Sequence, residues 1–178
     1  MGRYYLIVMK AKHFLTPLAV LILGSTAASA QTPDNPHVDM PVFLRDAKAA
    51  AAHRADRVIS QEKFLEMAAE KGTIVLDARS ADKFAMLHVK GATSLPFTDF
   101  SEASLAKVFP DKNARILIYC NNNFENAPIA MVGKAFSASL NLSTLVSLRT
   151  YGYTNVYELG GFIDVKQSKL PFAGTDVK

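Results

Sequence analysis

Three short runs that are apolar at almost every position, residues 73–76 (Thr-Ile-Val-Leu), Arg115–Tyr119 and Val156–Leu159, constrain this chain most. A strand with one wet face alternates polar and apolar residues. A strand without alternation must be covered on both faces, which is the condition of a parallel sheet. Helix signals fill the gaps between these runs. Ser60 stands as an N-cap before a helix from Gln61 to Glu70, with Phe64, Leu65 and Ala68 sharing a face and Gly72 just past the end. A short helix is expected at 80–86, a second strand near 92–95 and another helix at 101–108. Beyond the central run, Pro128 marks the start of a helix to about Phe136. A polar break at 137–143 then precedes a further helix ending near Thr150. Strands alternating with helices predict an α/β fold, an open parallel sheet with helices on both faces.

The amino-terminal thirty residues read differently. Arg3, Lys10, Lys12 and His13 form a basic region, residues 14–23 are apolar, and Ala28-Ser29-Ala30 places small residues where a signal peptidase cuts. The expectation is a signal peptide over 1–30, a mature chain beginning at Gln31, and a periplasmic or secreted location. Met9-Lys10-Ala11-Lys12 would open a complete signal by itself. Gly24, Ser25 and Thr26 interrupt the apolar run short of the roughly 20 residues a membrane helix needs, so no anchor is expected after cleavage. Cleavage removes three of the 20 Lys+Arg and none of the 16 Asp+Glu, which lowers the net charge from +4 to +1. The basic balance therefore belongs to the leader and does not point to nucleic acid. Residues 31–41, rich in proline and polar groups, read as a tether, and the alanine-rich stretch from 42 to 54 reads as a helix with a weak apolar face. The division expected is 31–56 tether and helical extension, 57–172 folded domain and 173–178 carboxyl-terminal tail.

Four motifs then occur in order. They are Asp77-Ala78-Arg79 with Phe84 and His88-Val89-Lys90-Gly91-Ala92; Leu95-Pro96; Ile118-Tyr119-Cys120; and Gly152-Tyr153-x-Asn155-Val156-x-x-Leu159-x-Gly161, with Leu170-Pro171 after them. Together they resemble the signature of the rhodanese (sulfurtransferase-like) family. The resemblance implies a rhodanese-like fold over most of the mature chain, with Cys120 as its nucleophile. In that chemistry the thiolate takes the outer sulfur of a donor, holds it as a persulfide and passes it to an acceptor. A small sulfur donor, or a protein thiol or persulfide, is the implied partner. No cofactor is implied.

Cys120 is the only cysteine, so it has no internal disulfide partner. It follows a buried strand at the end where parallel sheets bind ligands, and loop amides and a helix end there favour thiolate. Its loop, Asn121, Asn122, Asn123, Phe124 and Glu125, departs from the family in carrying asparagine in the glycine place and glutamate in the arginine place. A carboxylate facing the donor would repel thiosulfate and favour a neutral polysulfide or protein persulfide. On that reading, Glu125→Arg would raise thiosulfate turnover. It also leaves open a catalytically impaired binding module or a thiol redox protein.

Asp77, Arg79 and His88 are expected to be structural, and Gly160-Gly161 to form a tight turn. The histidines, His13, His37, His53 and His88, show no metal-ligand spacing, so no metal is expected. The segment 137–148 exceeds the family's usual single-helix connection and is expected to widen the core.

Overall fold

The computed structural model describes residues 35–127 and 129–177, so the expected signal peptide and cleavage after Ala30 fall outside the described residues. The chain runs through α1 (Met40–Arg54), β1 (Val58–Ile59), α2 (Gln61–Ala68), β2 (Thr73–Asp77), α3 (Ala81–Met86), β3 (His88–Val89) and β4 (Thr93–Ser94). It continues through α4 (Glu102–Val108), β5 (Arg115–Tyr119), β6 (Phe124–Glu125), α5 (Leu140–Thr150), β7 (Val156–Leu159), β8 (Ile163–Asp164) and β9 (Phe172–Ala173). Local chemistry explains several starts. Asp39 Oδ1 accepts from the Val42 amide at 2.9 Å, the Ser60 hydroxyl accepts from Lys63 N at 3.2 Å, and Ser101 and Ser104 cap one another at the head of α4.

Among the described residues β1, β7, β5, β2 and β4 pair in that order as a parallel sheet. The lack of polar alternation in β5 now has its cause. Ile116 and Ile118 pack with Ala50, Leu105, Leu145 and Leu148 of α1, α4 and α5, while Leu117 and Tyr119 pack with Phe64 and Met67 of α2. Helices therefore cover both faces, and the expected fold class holds. No helix among the described residues is long and apolar enough to cross a membrane.

The helix expected from Pro128 to Phe136 does not form. Residues 129–135 are irregular, with a single 3₁₀ turn at Phe136–Ala138, and one α-helix, α5, follows the cysteine before Gly152. Side chains take the carbonyls a helix would have used: Arg79 binds Ala130 O at 3.0 Å, Asn121 binds Val132 O at 2.8 Å, and Asn122 binds Lys134 O at 2.9 Å. Asn126 and Ile129 also adopt positive φ, outside the helical region. The extra length expected at 137–148 thus lies earlier, in an irregular excursion, and residues 140–148 belong to the crossover helix itself.

Two further differences concern the ends. Within the expected extension, α1 lies against α5 and buries Ala50. The residues read as a tail from 173 onward are pinned, with β9 paired to β3 and the amides of Thr175 and Asp176 bound to the carbonyls of Ala85 and Met86. Gly174 has φ +125°, and a Cβ there would stand 2.3 Å from Met86 O. Gly174→Ala is therefore expected to destabilise the protein by about 1–3 kcal/mol, read as a lower urea midpoint. An unchanged midpoint would show that this segment contributes nothing to the folded state.

Candidate functional site

Asp77, at the end of β2, is fully buried, and Arg79 is 4 % exposed. Arg79 donates to the Asp77 carboxylate through Nε at 2.9 Å and Nη2 at 2.6 Å, and to the Ala130 and Leu87 carbonyls at 3.0 and 2.6 Å. Tyr119 OH donates to Asp77 Oδ2 at 2.5 Å and accepts from Val89 N at 3.0 Å. Burial works against the Arg79 charge, and the adjacent carboxylate more than offsets it, holding the group firmly protonated. Burial, reinforced by the Asp77 charge, raises the Tyr119 phenol well above its usual range. His88 Nδ1 lies 2.7 Å from Phe84 O, and its ring stacks on Phe84. These residues tie segments together and do not line the cysteine cleft.

Cys120 stands just beyond β5, flanked in the sheet by β2 and β7, and is 1 % exposed. A 3₁₀ turn at Asn121–Asn123 follows it, in which the Asn123 amide donates to Cys120 O at 3.1 Å. Ser139, the N-cap of α5, makes no side-chain cap bond, and its hydroxyl lies 3.4 Å from Cys120 Sγ. The amino-terminal end of α5 therefore reaches the sulfur, though by a longer path than expected. A hydroxyl and a helix N-terminus stand where charge on sulfur would develop.

The loop residues divide. Asn123 is buried: its Oδ1 accepts from Cys120 N at 2.9 Å, and its Nδ2 donates to Leu159 O at 2.6 Å. Asn121 and Asn122 clamp the excursion, Asn122 holding both the amide and the carbonyl of Lys134 at 2.9 Å. Phe124 is buried in the core beside Tyr119 and Phe172 and does not line the cleft that holds Cys120. Glu125 corrects the main sequence expectation: it is exposed in β6, paired with Asp164 of β8, and does not line the cleft that holds Cys120. The turn after Asn123 goes straight into a strand, which carries the sixth loop position away from the sulfur.

That cleft is about 720 Å³ and includes Arg54, Lys134, Ser139, Asn141, Glu158 and Phe162 in its lining. From it runs a continuous hydrogen-bonded chain. Arg54 of α1 binds Glu158 of β7 through Nε at 2.5 Å and Nη2 at 3.0 Å; Glu158 Oε1 accepts from Asn141 Nδ2 at 3.2 Å; and the same amide donates to Asn123 Oδ1 at 3.1 Å, next to Cys120. The Glu158 carboxylate holds Arg54 more firmly protonated than usual. None of Arg54, Lys134, Ser139, Asn141 or Glu158 was singled out from sequence. One signal existed, since a carboxylate in an otherwise apolar parallel strand needs a buried partner.

Residues 60–168, more than half of the chain, match the family model described as Rhodanese-like domain. Similar solved structures include a rhodanese with anions from E. coli, 24% identical with a TM-score of 0.38, covering 57% of this chain and 98% of that one. The rhodanese-like domain of the Alr3790 protein from Anabaena sp. is 21% identical with a TM-score of 0.45, covering 68% of this chain and 81% of its own. The BH2092 protein from Bacillus halodurans is 20% identical with a TM-score of 0.44, covering 66% and 76%. No curated protein sequence matches significantly. The family match spans β2, the Asp77–Arg79 turn, the Cys120 loop and β7, and by it this chain belongs to the rhodanese-like domain family.

Proposed function

We propose that the protein transfers sulfane sulfur through a persulfide on Cys120. The observation that carries this reading is a sulfur that lines a cleft, with the Ser139 hydroxyl at 3.4 Å and the head of α5 beside it. In the first step the Cys120 thiolate attacks the outer sulfur of a donor R–S–S⁻; the new S–S bond forms as the old one breaks, and R–S⁻ leaves with the electron pair. An acceptor thiolate then attacks the outer sulfur of the persulfide and regenerates Cys120. Mass spectrometry of Cys120 after exposure to sulfane donors, then to thiols, tests both steps. A cysteine that never gains sulfur would sink the proposal and favour a binding module.

The cleft charges change the expected donor. With Glu125 outside, an anionic donor meets Lys134, which forms no ion pair among the described residues, and Arg54, already paired with Glu158. Lys134→Glu is expected to lower loading from an anionic donor about tenfold. Glu125→Arg is expected to change it by no more than about twofold, the scale of surface substitutions away from the site. A large gain in the second variant would return Glu125 to the site.

The reading extends to location. On the strength of the basic, apolar and small-residue segments of 1–30, the protein acts outside the cytoplasm after cleavage at Ala30. Intact mass of protein from its native source should begin at Gln31; retention of residues 1–30 would overturn this.

A further inference from the structure

Resting on the sulfur-transfer reading of the same cleft, we propose that its substrate is a small organic perthiol with an apolar body and an anionic group, not an inorganic sulfur anion. Size is the first reason. A cleft of about 720 Å³ lies within the roughly 300–1,000 Å³ typical of sites for whole organic molecules, and a small ion such as thiosulfate would leave most of it wet. The second reason is the character of the walls. Leu142, Leu159, Phe162 and Phe136 line the cleft, and the two aromatics stay 66 % and 92 % exposed, so apolar surface beside the sulfur is left for something else to cover. The third is charge. Glu158 is spent on Arg54 and Asn141, which leaves Lys134 as the cleft's cation without an ion-pair partner among the described residues. Asn122 holds the Lys134 backbone by two hydrogen bonds, so the cysteine loop anchors the root of that side chain at the edge of the cleft.

An apolar body on the aromatic wall, an anion at Lys134 and a terminal sulfur at Cys120 would satisfy all three. The transfer balances as before: the substrate's S–S bond breaks, its thiolate leaves, and Cys120 gains the outer sulfur.

The test uses the full mature chain and two independent readouts. First, Cys120 loading rates are compared for inorganic polysulfide, glutathione persulfide and the persulfide of an aryl-substituted mercaptocarboxylic acid. The aryl donor is expected to load at least about tenfold faster than polysulfide, and Phe162→Ala to cut that preference to about threefold or less. Second, binding of the unreactive thioether of the same acid to Cys120→Ser protein is measured by calorimetry. It should be detectable and weakened about tenfold by Lys134→Gln, with the uncharged amide analogue insensitive to that change. Loading by polysulfide without binding of the thioether overturns this inference and leaves sulfur transfer standing. Thioether binding without any sulfur loading overturns sulfur transfer and leaves the ligand class standing. Equal loading by all donors, with Phe162→Ala without effect on their ratio, also overturns the inference.

Discussion

Arg79→Ala is expected to destabilise the protein by roughly 3–5 kcal/mol, enough to lower the Tm by on the order of 10 °C or more. The size of the effect comes from what is left behind. Asp77 has no exposure, and its carboxylate accepts from Arg79 through three nitrogens, counting the Arg79 amide, and from Tyr119 OH. Removing the guanidinium strands a charge in the core, and it also frees the carbonyls of Leu87 and Ala130. Arg79→Lys should recover little, because an ammonium cannot reproduce the fork that spans the carboxylate and two carbonyls. Thermal and urea unfolding of both variants measure this. A loss under about 1 kcal/mol in Arg79→Ala would show that the pair is dispensable. Because Ala130 O belongs to the excursion that leads to the cysteine cleft, a surviving Arg79→Ala protein should also load sulfur more slowly.

For Cys120→Ser the expected result is complete loss of sulfur loading from every donor, with stability changed by no more than about 1 kcal/mol. Only sulfur can form the S–S bond that the transfer requires, so the chemical loss is total. The fold should survive because the serine hydroxyl can meet Ser139, as the thiol does, and the bonds between residue 120 and Asn123 run through the backbone of residue 120. The readout is the persulfide mass increment on the protein, with circular dichroism as the check on folding. Transfer that persists in a folded Cys120→Ser protein would place the chemistry elsewhere.

The sequence expectations that held rest on local patterns. Unbroken apolar runs bound for two covered faces led directly to the parallel sheet, and Ser60 and Ser101 mark helix starts through side chains that act within three residues. The Asp77, Arg79 and His88 motif is joined to distant segments by bonds that lie outside its own pattern, Arg79 to Ala130 O among them. The position of Cys120 at the carboxyl end of the central strand follows from the same pattern. Two residues of strand, as in β1, carry too little pattern to be seen.

The surroundings of that cysteine were decided in three dimensions. Glu125 occupies the arginine place by counting along the chain, but a strand begins at Phe124 and turns the carboxylate away, so a count of six residues says nothing about direction. The helix expected after Pro128 lost its hydrogen bonds to side chains as distant as Arg79, a competition no local propensity contains. Arg54 and Glu158 are 104 residues apart in sequence and joined through two nitrogens in space. Residue types and their spacing determined that a cysteine would stand at the mouth of a parallel sheet, because burial and capping act over a few residues. Which charges and rings surround it was settled only when α1, α5 and β7 came together, because Coulomb and hydrogen-bond partners are chosen by distance in space and not by distance along the chain.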